Sequence, residues 1–264
     1  MQVVGSVESL WRYPVKSMRG EETGEIFMGF SGFFADRIYA FKNANARKGF
    51  PYLNATANPQ MLRYQPQFVH FENTLTPPNL YEAMGIAPGV NPVNADPHDL
   101  ALNVITPSGS VISIDDPALI EMLKEGLTGE NNVTLVRSDR ALTDCRPVSL
   151  ISLQTIRQIG DELDKAIDNQ RFRANIYLNL SSEAGFAEDK LVGRRLRIGL
   201  KAEIMVIEKD PRCKMISLDP ATGRHDPNIL RHVAQKHNNA AGVYCAVLVE
   251  GILKKGDSIT LLSK

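Results

Sequence analysis

Short runs of aromatic and β-branched residues dominate this chain, and Gly, Pro and Asn interrupt them at close intervals. This pattern predicts many short β-strands. In the first half the runs are "VVGSVESLWRY", "GEIFMGF", "DRIYAFK" and "QFVHFE". In the second half they are "ANIYLNL", "RRLRIG", "AEIMVIE", "GVYCAVLVEG" and "GDSITLL". So many strands favour a β-rich fold, and we expect the sheet of the second half to close into a barrel.

Three segments carry helical signatures: "DDPALIEMLKEGLTG", "SLQTIRQIGDELDKAI" and "DPNILRHVAQKH". Asp116, Ser152 and Asp226 stand where N-caps are expected, and a proline follows two of them. A few helices among many strands make the predicted class α+β, β-rich, with helices flanking the barrel. We place a boundary near residue 130, which gives an N-terminal β-rich domain at 1–130 and the barrel domain at 131–264.

The overall charge of the chain excludes some classes of partner. The 264 residues contain 30 basic and 30 acidic side chains, so no global field attracts nucleic acid or an anionic membrane. The N-terminus lacks the pattern of a secretory signal, and no apolar run approaches the ~18 residues of a membrane span. Three cysteines without a CxxC pair favour a reducing compartment. These features predict a cytoplasmic protein.

Cys213 is the sharpest candidate for chemistry. In "DPRCKMISLDPATG" it stands between Arg212 and Lys214, and cations that point at a thiol stabilise the thiolate that binds metal or attacks substrates. The alternative is a structural cysteine packed beside a loop. Cys245 lies in an apolar strand run, which predicts core packing. Cys145, in "TDCRPVS", remains ambiguous between the two roles.

Two basic segments suggest anion binding. "RYPVKSMRG" gathers cations, including Lys16, at the end of the first predicted strand, where they suit either a phosphate-binding loop or a solvated turn. In "RFRANIYL", Arg171, Arg173 and Asn175 alternate, which in an extended chain places them on one side. Guanidinium groups suit phosphate, and an amide suits a heterocycle.

Other familiar motifs are missing. His232 and His237 are five residues apart, so on a helix they face different directions, and the sequence contains no H-E-x-x-H. A zinc site of Cys and His is therefore unsupported. The absence of G-x-S-x-G, G-x-G-x-x-G and the P-loop motif argues against a serine hydrolase and against a nucleotide-binding Rossmann or P-loop domain.

Three motifs in order, "YPVKSMRG", "RFRANIYL" and "PRCKMISLDPATG", with "GDSITLL" at the end, resemble the MOSC family. The family is named after the C-terminal domain of molybdenum cofactor sulfurase. The order is that of its two-part members, which include amidoxime-reducing components and their bacterial relatives. The resemblance extends over essentially the whole chain. It implies a MOSC N-terminal β domain followed by a MOSC domain with a β-barrel.

The resemblance also implies a molybdenum-molybdopterin cofactor and roles for particular residues. Cys213 matches the cysteine that ligates molybdenum and is the implied catalytic residue. The residues that match cofactor contacts are Lys16, Ser17, Arg37, Ser152, Thr155, Arg173, Asn175 and Arg212. Ala174 departs from the proline that relatives commonly have there, which leaves the backbone less restrained. At the level of the family, pyridoxal phosphate binding is also implied.

The implied activity is that of an oxidoreductase that reduces small N-hydroxylated compounds such as amidoximes. Its electrons come from a separate donor protein, either a flavoprotein reductase or a small iron–sulfur or haem carrier, because the cysteines do not form a cluster-binding set. Neither nucleic acid nor a membrane is an expected partner. Two alternatives remain open: a sulfur carrier or transferase that uses a Cys213 persulfide, and a non-catalytic carrier of the molybdenum cofactor.

Overall fold

The computed structural model describes residues 1–46, 50–81, 96–125, 127 and 131–263. The strands are β1 (Gln2–Arg12), β2 (Glu21–Thr23), β3 (Glu25–Gly29), β4 (Gly32–Phe33), β5 (Tyr39–Asn43), β6 (Gln65–Phe68), β7 (Leu102–Ile105), β8 (Val111–Ser113), β9 (Val133–Arg137), β10 (Val148–Ser152), β11 (Ile176–Leu180), β12 (Arg195–Ile198), β13 (Ala202–Pro211), β14 (Ala240–Val249), β15 (Gly251–Lys254) and β16 (Ser258–Leu261). The α-helices that lie entirely within the described ranges are α1 (Pro117–Lys124), α2 (Leu153–Glu162) and α3 (Pro227–Lys236). The predicted β-rich α+β class is confirmed.

The chain forms two compact units that interleave along the sequence. The barrel unit consists of Met1–Arg12, Gly20–Phe33 and Thr143–Lys264. The second unit consists of Tyr13–Arg19 and Phe34–Leu142. The boundary predicted near residue 130 adjoins residues 128–130, which lie outside the described residues.

The barrel unit contains a closed sheet of seven strands in the order β11-β10-β14-β13-β12-β16-β1, in which β1 also pairs with β11. The β10–β11 pair is parallel, and the other pairs of the ring are antiparallel. Closure leaves the seven strands without a free edge. The predicted barrel is therefore confirmed, and the first strand of the chain completes it.

Alternation along the strands divides their side chains between two apolar cores. Leu150, Ile176 and Leu178 belong to a large cluster shared by the barrel strands. Ile151 and Tyr177, their neighbours in sequence, belong to a second cluster that includes apolar residues of α2 and α3. This is the period-two arrangement expected of strands that are covered on both faces. Each fully buried aliphatic side chain stabilises the fold by roughly 1.5–3 kcal/mol.

Side-chain caps begin α1, α2 and α3, as predicted. Asp116 accepts a hydrogen bond from Ala118 N, Ser152 from Thr155 N and Asp226 from Asn228 N. Helix α2 is shorter than its apolar pattern predicts, because the chain leaves helical geometry after Glu162 and reaches a left-handed backbone at Asp164, with φ 51°.

The second unit contains the two-stranded sheet β5-β9 and the three-stranded sheet β6-β7-β8. The hairpin predicted around Pro-Ser-Gly-Ser is confirmed as β7–β8, with Thr106 N donating to Ser110 O at 2.9 Å. Buried Leu119 and Leu123 give α1 its apolar face. Among the helices of the described residues, none has the length and apolar character that crossing a membrane requires.

Candidate functional site

Cys213 lies in a turn at the end of β13. It precedes the short 3-10 helix Lys214–Ser217, and its side chain makes no capping hydrogen bond there. The thiol is exposed, so Cys213 is not a core residue. A thiol at this position is accessible to a ligand or an incoming reactant, whereas a cysteine packed in the core would not be accessible.

The other two cysteines differ from Cys213. Cys245 is buried in the barrel core, and burial raises the pKa of its thiol, which confirms the packing role predicted for it. Cys145 is exposed, with Sγ 3.8 Å from Oε1 of Glu208. Desolvation and the Glu208 carboxylate raise the pKa of the Cys145 thiol. Neither environment favours a thiolate.

Arg212 adjoins Cys213 in sequence, but its side chain is directed into the protein and is 8% exposed. Its guanidinium donates to the carbonyl oxygens of Ala241 and Phe172, with the Nη1–Phe172 O distance at 2.9 Å. It also forms an ion pair with Asp210 at 2.8 Å and lies over the Phe172 ring. Through these contacts Arg212 holds three chain segments together. Because the Asp210 carboxylate balances its charge, Arg212 does not act mainly as a neighbouring cation for the thiol.

Asp210 anchors this arrangement from the barrel side. It is 2% exposed and also forms a hydrogen bond with the Tyr244 side chain. Burial and the negative charge of Asp210 raise the pKa of Tyr244, so this phenol stays protonated and serves as a donor. A buried carboxylate needs such partners, because an unpaired one is costly.

Arg173 occupies a tight turn. The alternating pattern had predicted an extended chain at this position. Residues Asn169–Phe172 form a 3-10 helix, and Arg173 ends it with a left-handed backbone, at φ 51° and ψ 35°. Arg171 forms an ion pair with Asp219 at 2.8 Å. The prediction that Arg171 and Arg173 share one side of an extended strand is therefore wrong. The cause is the capped turn at Asp168, whose carboxylate accepts from Gln170 N.

Asn175 is 2% exposed and joins three strands. Its Oδ1 accepts from Ser149 N at 3.2 Å, and its Nδ2 donates to Trp11 O at 3.3 Å. Its backbone carbonyl accepts from Trp11 N at 2.8 Å. The amide predicted to face a heterocycle thus links β1, β10 and the start of β11.

Ser152 and Thr155 form a buried network at the start of α2. Both are fully buried, and each hydroxyl donates to the buried carboxylate of Glu188 at 2.7 Å. Thr155 Oγ1 also accepts from Phe186 N, and Ser152 N donates to Glu188. The structure gives Ser152 a capping role and places the Thr155 hydroxyl in the same network, and Glu188, which sequence reasoning missed, is their common partner.

Lys16 and Ser17 lie in the second unit, in a segment that pairs with β5. Lys16 is 5% exposed, its Nζ donates to Leu142 O at 2.7 Å, and it lies 5.4 Å from the ring centroids of both Phe50 and Tyr52. Ser17 has a left-handed backbone, with φ 68°. Both rings attract the ammonium group.

Arg37 lies close to this segment within the second unit. Its backbone is left-handed, with φ 49°, and its N–H donates to Tyr13 O at 2.8 Å. The guanidinium forms an ion pair with buried Asp36 and lies 4.7 Å from the Tyr13 ring centroid. Asp36 also accepts from Tyr13 N at 2.7 Å, so it organises this turn in the way Asp210 organises the turn at Cys213.

Within each unit the fold thus gathers some of the predicted residues. In the barrel unit, Arg212 ties the Cys213 turn to the Arg173 turn. In the second unit, Lys16 N donates to Tyr39 O, and Arg37 N donates to Tyr13 O, which brings Lys16, Ser17 and Arg37 onto adjoining turns. Three of the residues predicted to contact a cofactor have a positive φ: Ser17, Arg37 and Arg173. Such a backbone costs on the order of 1–3 kcal/mol and is typical of functional sites.

A seven-stranded barrel with an exposed cysteine at the end of one strand defines a β-barrel protein with a candidate thiolate-ligand site. The MOSC domain model matches residues 137–260, and the model of the MOSC N-terminal beta barrel domain matches residues 4–90. The chain therefore belongs to the MOSC family, in its two-part form. This family is associated with the molybdenum cofactor.

One curated protein and two solved structures match this chain at low identity. Mitochondrial amidoxime reducing component 2 of Bos taurus is 25% identical over 295 residues, covering 98% of this chain and 84% of that protein. The YUAD protein from Bacillus subtilis matches 97% of this chain and 94% of its own at 13% identity, with a TM-score of 0.44. YiiM from Geobacillus stearothermophilus matches 45% of this chain and 55% of its own, at 18% identity and a TM-score of 0.36.

Proposed function

We propose that this chain binds the molybdenum cofactor and is an oxidoreductase for small N-hydroxylated compounds. The observation that carries the proposal is the exposed Cys213 thiol, which lies beside a buried arginine scaffold that joins its turn to that of Arg173. Membership of a molybdenum-cofactor family supports the cofactor. The similarity to an amidoxime reducing component supports the substrate class.

The donor set of the barrel unit suits such a cofactor. A thiolate is a soft ligand that binds transition metals, and Cys213 offers one on an accessible turn. Ser217 ends the 3-10 helix that follows Cys213, and its buried Oγ has no hydrogen-bond partner in the described part of the chain. A buried hydroxyl without a partner is costly, and a ligand oxygen or nitrogen would relieve that cost.

The bound cofactor supplies two-electron redox chemistry that removes oxygen from N–OH and releases water. The chain supplies binding and orientation. Cys213 would hold the metal and Arg173 would offer its guanidinium from a fixed turn, while Arg212 positions both turns. From the family resemblance we also assign Lys16, Ser17 and Arg37 to cofactor binding, with the cations offsetting the negative charge of the cofactor. Ser152, Thr155 and Asn175 act through the fold.

We also propose that a separate protein delivers the electrons. The chain has three cysteines, fewer than the four that bind an all-cysteine iron–sulfur cluster. One of the three, Cys245, is buried in the barrel core. A flavoprotein reductase or a small iron–sulfur or haem carrier is the matching class of donor.

The test is amidoxime reduction with an artificial reductant by full-length protein from a molybdate-fed, cofactor-competent host. Wild type is compared with Cys213→Ala, and Cys145→Ala is the matched control because Cys145 is also exposed. We expect molybdenum, pterin and turnover to be lost in Cys213→Ala and kept in Cys145→Ala. Equal turnover and equal metal in the two variants would remove Cys213 from the mechanism.

Two other outcomes would replace the proposal. A persulfide on Cys213 after incubation with a cysteine desulfurase, with no metal bound, would make the chain a sulfur carrier. Tight binding of the cofactor without reductase activity, across several donor systems, would make it a cofactor carrier. Mass spectrometry of the intact chain and metal analysis separate the two.

A further inference from the structure

Two histidines and a glutamate converge on the outer side of the barrel unit, among residues that the proposed function does not use. Nε2 of His232 lies 2.5 Å from Oε2 of Glu162, and Nε2 of His237 lies 2.7 Å from the same oxygen. The three ligand atoms all lie within 4.8 Å of one another. Their side chains are 29% exposed for Glu162, 15% for His232 and 13% for His237, so solvent ions reach them.

The ends of two helices build this cluster, which is why the sequence spacing did not reveal it. Glu162 is the last residue of α2. His232 lies within α3, whereas His237 follows it with φ −127° and ψ 28°, outside helical geometry. The expectation that the two histidines face different directions holds only within a continuous helix. Because α3 ends at Lys236, His237 turns back toward the carboxylate that His232 also meets.

Neighbouring side chains fix the orientation of the cluster. Gln158 Nε2 donates to the other oxygen of Glu162, Oε1, at 2.8 Å, which directs Oε2 toward the imidazoles. Phe186 stacks on the His237 ring, with centroids 4.0 Å apart and planes at 15°. Partners that orient ligating side chains in this way are typical of metal sites.

We propose that Glu162, His232 and His237 form a binding site for a divalent transition-metal ion, with zinc as the best match. Two imidazole nitrogens and one carboxylate oxygen form a common three-ligand set for zinc that leaves positions open for water. Two ligand atoms about 2.1 Å from one ion lie about 3.0 Å apart at a right angle and about 3.4 Å apart at a tetrahedral angle. The observed spacings of 2.5 and 2.7 Å thus need only small side-chain movements to admit an ion.

Binding replaces the protons shared by these groups. A zinc ion takes the lone pair of each Nε2 and one carboxylate oxygen. Each neutral imidazole then keeps its proton on Nδ1, and any second proton passes to solvent. The ion then links the end of α2 to the end of α3, whose apolar residues share one cluster outside the barrel. We therefore expect it to stabilise the barrel unit, since a ligand that binds the native state alone raises its stability.

The test is zinc titration of the full chain after chelator treatment, by calorimetry, together with the ultraviolet and visible absorption spectrum of the cobalt(II) form. The variants are Glu162→Gln and His232→Asn, each checked for folding by circular dichroism. The matched control replaces His70 and His98 by Asn, because those rings also lie close, 4.9 Å apart, in the second unit. Cobalt ligated by Cys213 or Cys145 gives sulfur-to-metal charge-transfer absorption, which the proposed nitrogen and oxygen ligands do not.

We expect one zinc ion per chain, a higher thermal midpoint with zinc, and cobalt absorption without sulfur character. Each cluster variant should lower the affinity at least about tenfold, and the control should not. Loss of affinity only in the His70 and His98 control, or sulfur-type cobalt absorption, would place the metal elsewhere. An absence of binding by folded wild-type protein at millimolar zinc would reduce the cluster to a hydrogen-bonded ion pair. These outcomes do not depend on cofactor loading, so they are independent of the proposed function.

Discussion

The guanidinium of Arg212 donates to the backbone carbonyl of Phe172 at 2.9 Å, and this bond joins the turn that carries Cys213 to the turn that carries Arg173. The same guanidinium bonds Ala241 and the buried Asp210. The arginine beside the candidate metal ligand is therefore a positioning residue whose charge is balanced within the fold.

Replacing Arg212 by Ala should destabilise the barrel unit strongly. The change leaves the Asp210 carboxylate buried without its ion pair and removes the donors to two carbonyls, at a cost of about 3–5 kcal/mol. Urea unfolding followed by circular dichroism measures the change. Arg212→Lys is the matched variant, because it keeps the charge but not the fork-shaped donor set. A loss below about 1 kcal/mol in Arg212→Ala would contradict the role assigned to this network.

Gly242 should tolerate no side chain. Its φ is +81°, and a Cβ there would lie 2.5 Å from Leu150 O and 3.1 Å from Arg212 Nη2. We expect Gly242→Ala to lower the free energy of unfolding by a few kcal/mol, about 1 of them from the left-handed backbone alone. Gly109 also has a positive φ but open space around it, so Gly109→Ala is the control and should cost only the backbone term. Equal losses in the two variants would show that close approach to Leu150 is unimportant.

Ser152→Ala should weaken the protein without emptying its cofactor site. The variant loses the N-cap of α2 and one donor to buried Glu188, which together cost roughly 1–3 kcal/mol. Molybdenum content per folded chain should stay at the wild-type value. A variant with wild-type stability but little cofactor would restore Ser152 as a direct contact. Thermal unfolding and metal analysis of the same sample give both readings.

Arg173 should contribute its charge to cofactor retention. We expect Arg173→Gly, which suits the left-handed backbone, to lose most of the bound cofactor because the guanidinium is gone. Arg173→Lys keeps a positive charge and should retain more than the glycine variant. Molybdenum and pterin content after desalting measure this. Full retention in Arg173→Gly would remove the residue from the proposed site.

The free energy of unfolding should depend on pH through the Glu162 carboxyl group. Burial opposes its charge, but hydrogen bonds from Gln158, His232 and His237 outweigh that effect and lower its pKa from 4.5 to about 2. A carboxyl whose pKa is lower in the folded state stabilises the protein above its unfolded pKa and loses that contribution as pH falls toward the folded value. The stability difference between wild type and Glu162→Gln should therefore be present at pH 5 and shrink toward pH 2.

Denaturant unfolding at several pH values, in the presence of a chelator, checks this expectation. The chelator removes any contribution of a bound ion, so that the titration reports the carboxylate alone. A stability difference that stays constant from pH 5 to pH 2 would show that the hydrogen bonds do not hold the pKa of Glu162 low.

Local patterns predicted the elements well. Helix caps and apolar strand runs depend on residues that are neighbours in sequence, so they can be predicted from one sequence. The N-caps Asp116, Ser152 and Asp226 are examples. The helix ends were predicted less well, because apolar periodicity continues beyond the point where the backbone leaves the helix. Leu163 shares the stripe of Ile156 and Ile159, yet α2 ends at Glu162.

The partners of the candidate residues could not be predicted. Glu188 meets Ser152 from 36 positions away, and Glu162 meets His232 from 70 positions away. Strand order and helix packing bring such pairs together, and neither can be predicted from the residues next to each partner in sequence. The alternation of Arg171 and Arg173 misled for a related reason, since a capped 3-10 turn replaced the strand that the alternation assumes.

The position of β1 between β16 and β11 also has a consequence for the order in which this protein matures. Its two partners in the ring follow it in the chain, and both are translated after it: β11 at Ile176–Leu180 and β16 at Ser258–Leu261. The ring cannot be sealed before β16 has been made, so β1 must wait, exposed to chaperones or to self-association, for partners encoded more than 160 residues later. Expressing the MOSC match at 137–260 by itself would leave the ring without that strand, with unsatisfied amides along β11 and β16. A soluble, monomeric product from such a fragment would be unexpected, and adding residues 1–12 back as a separate peptide should complement it.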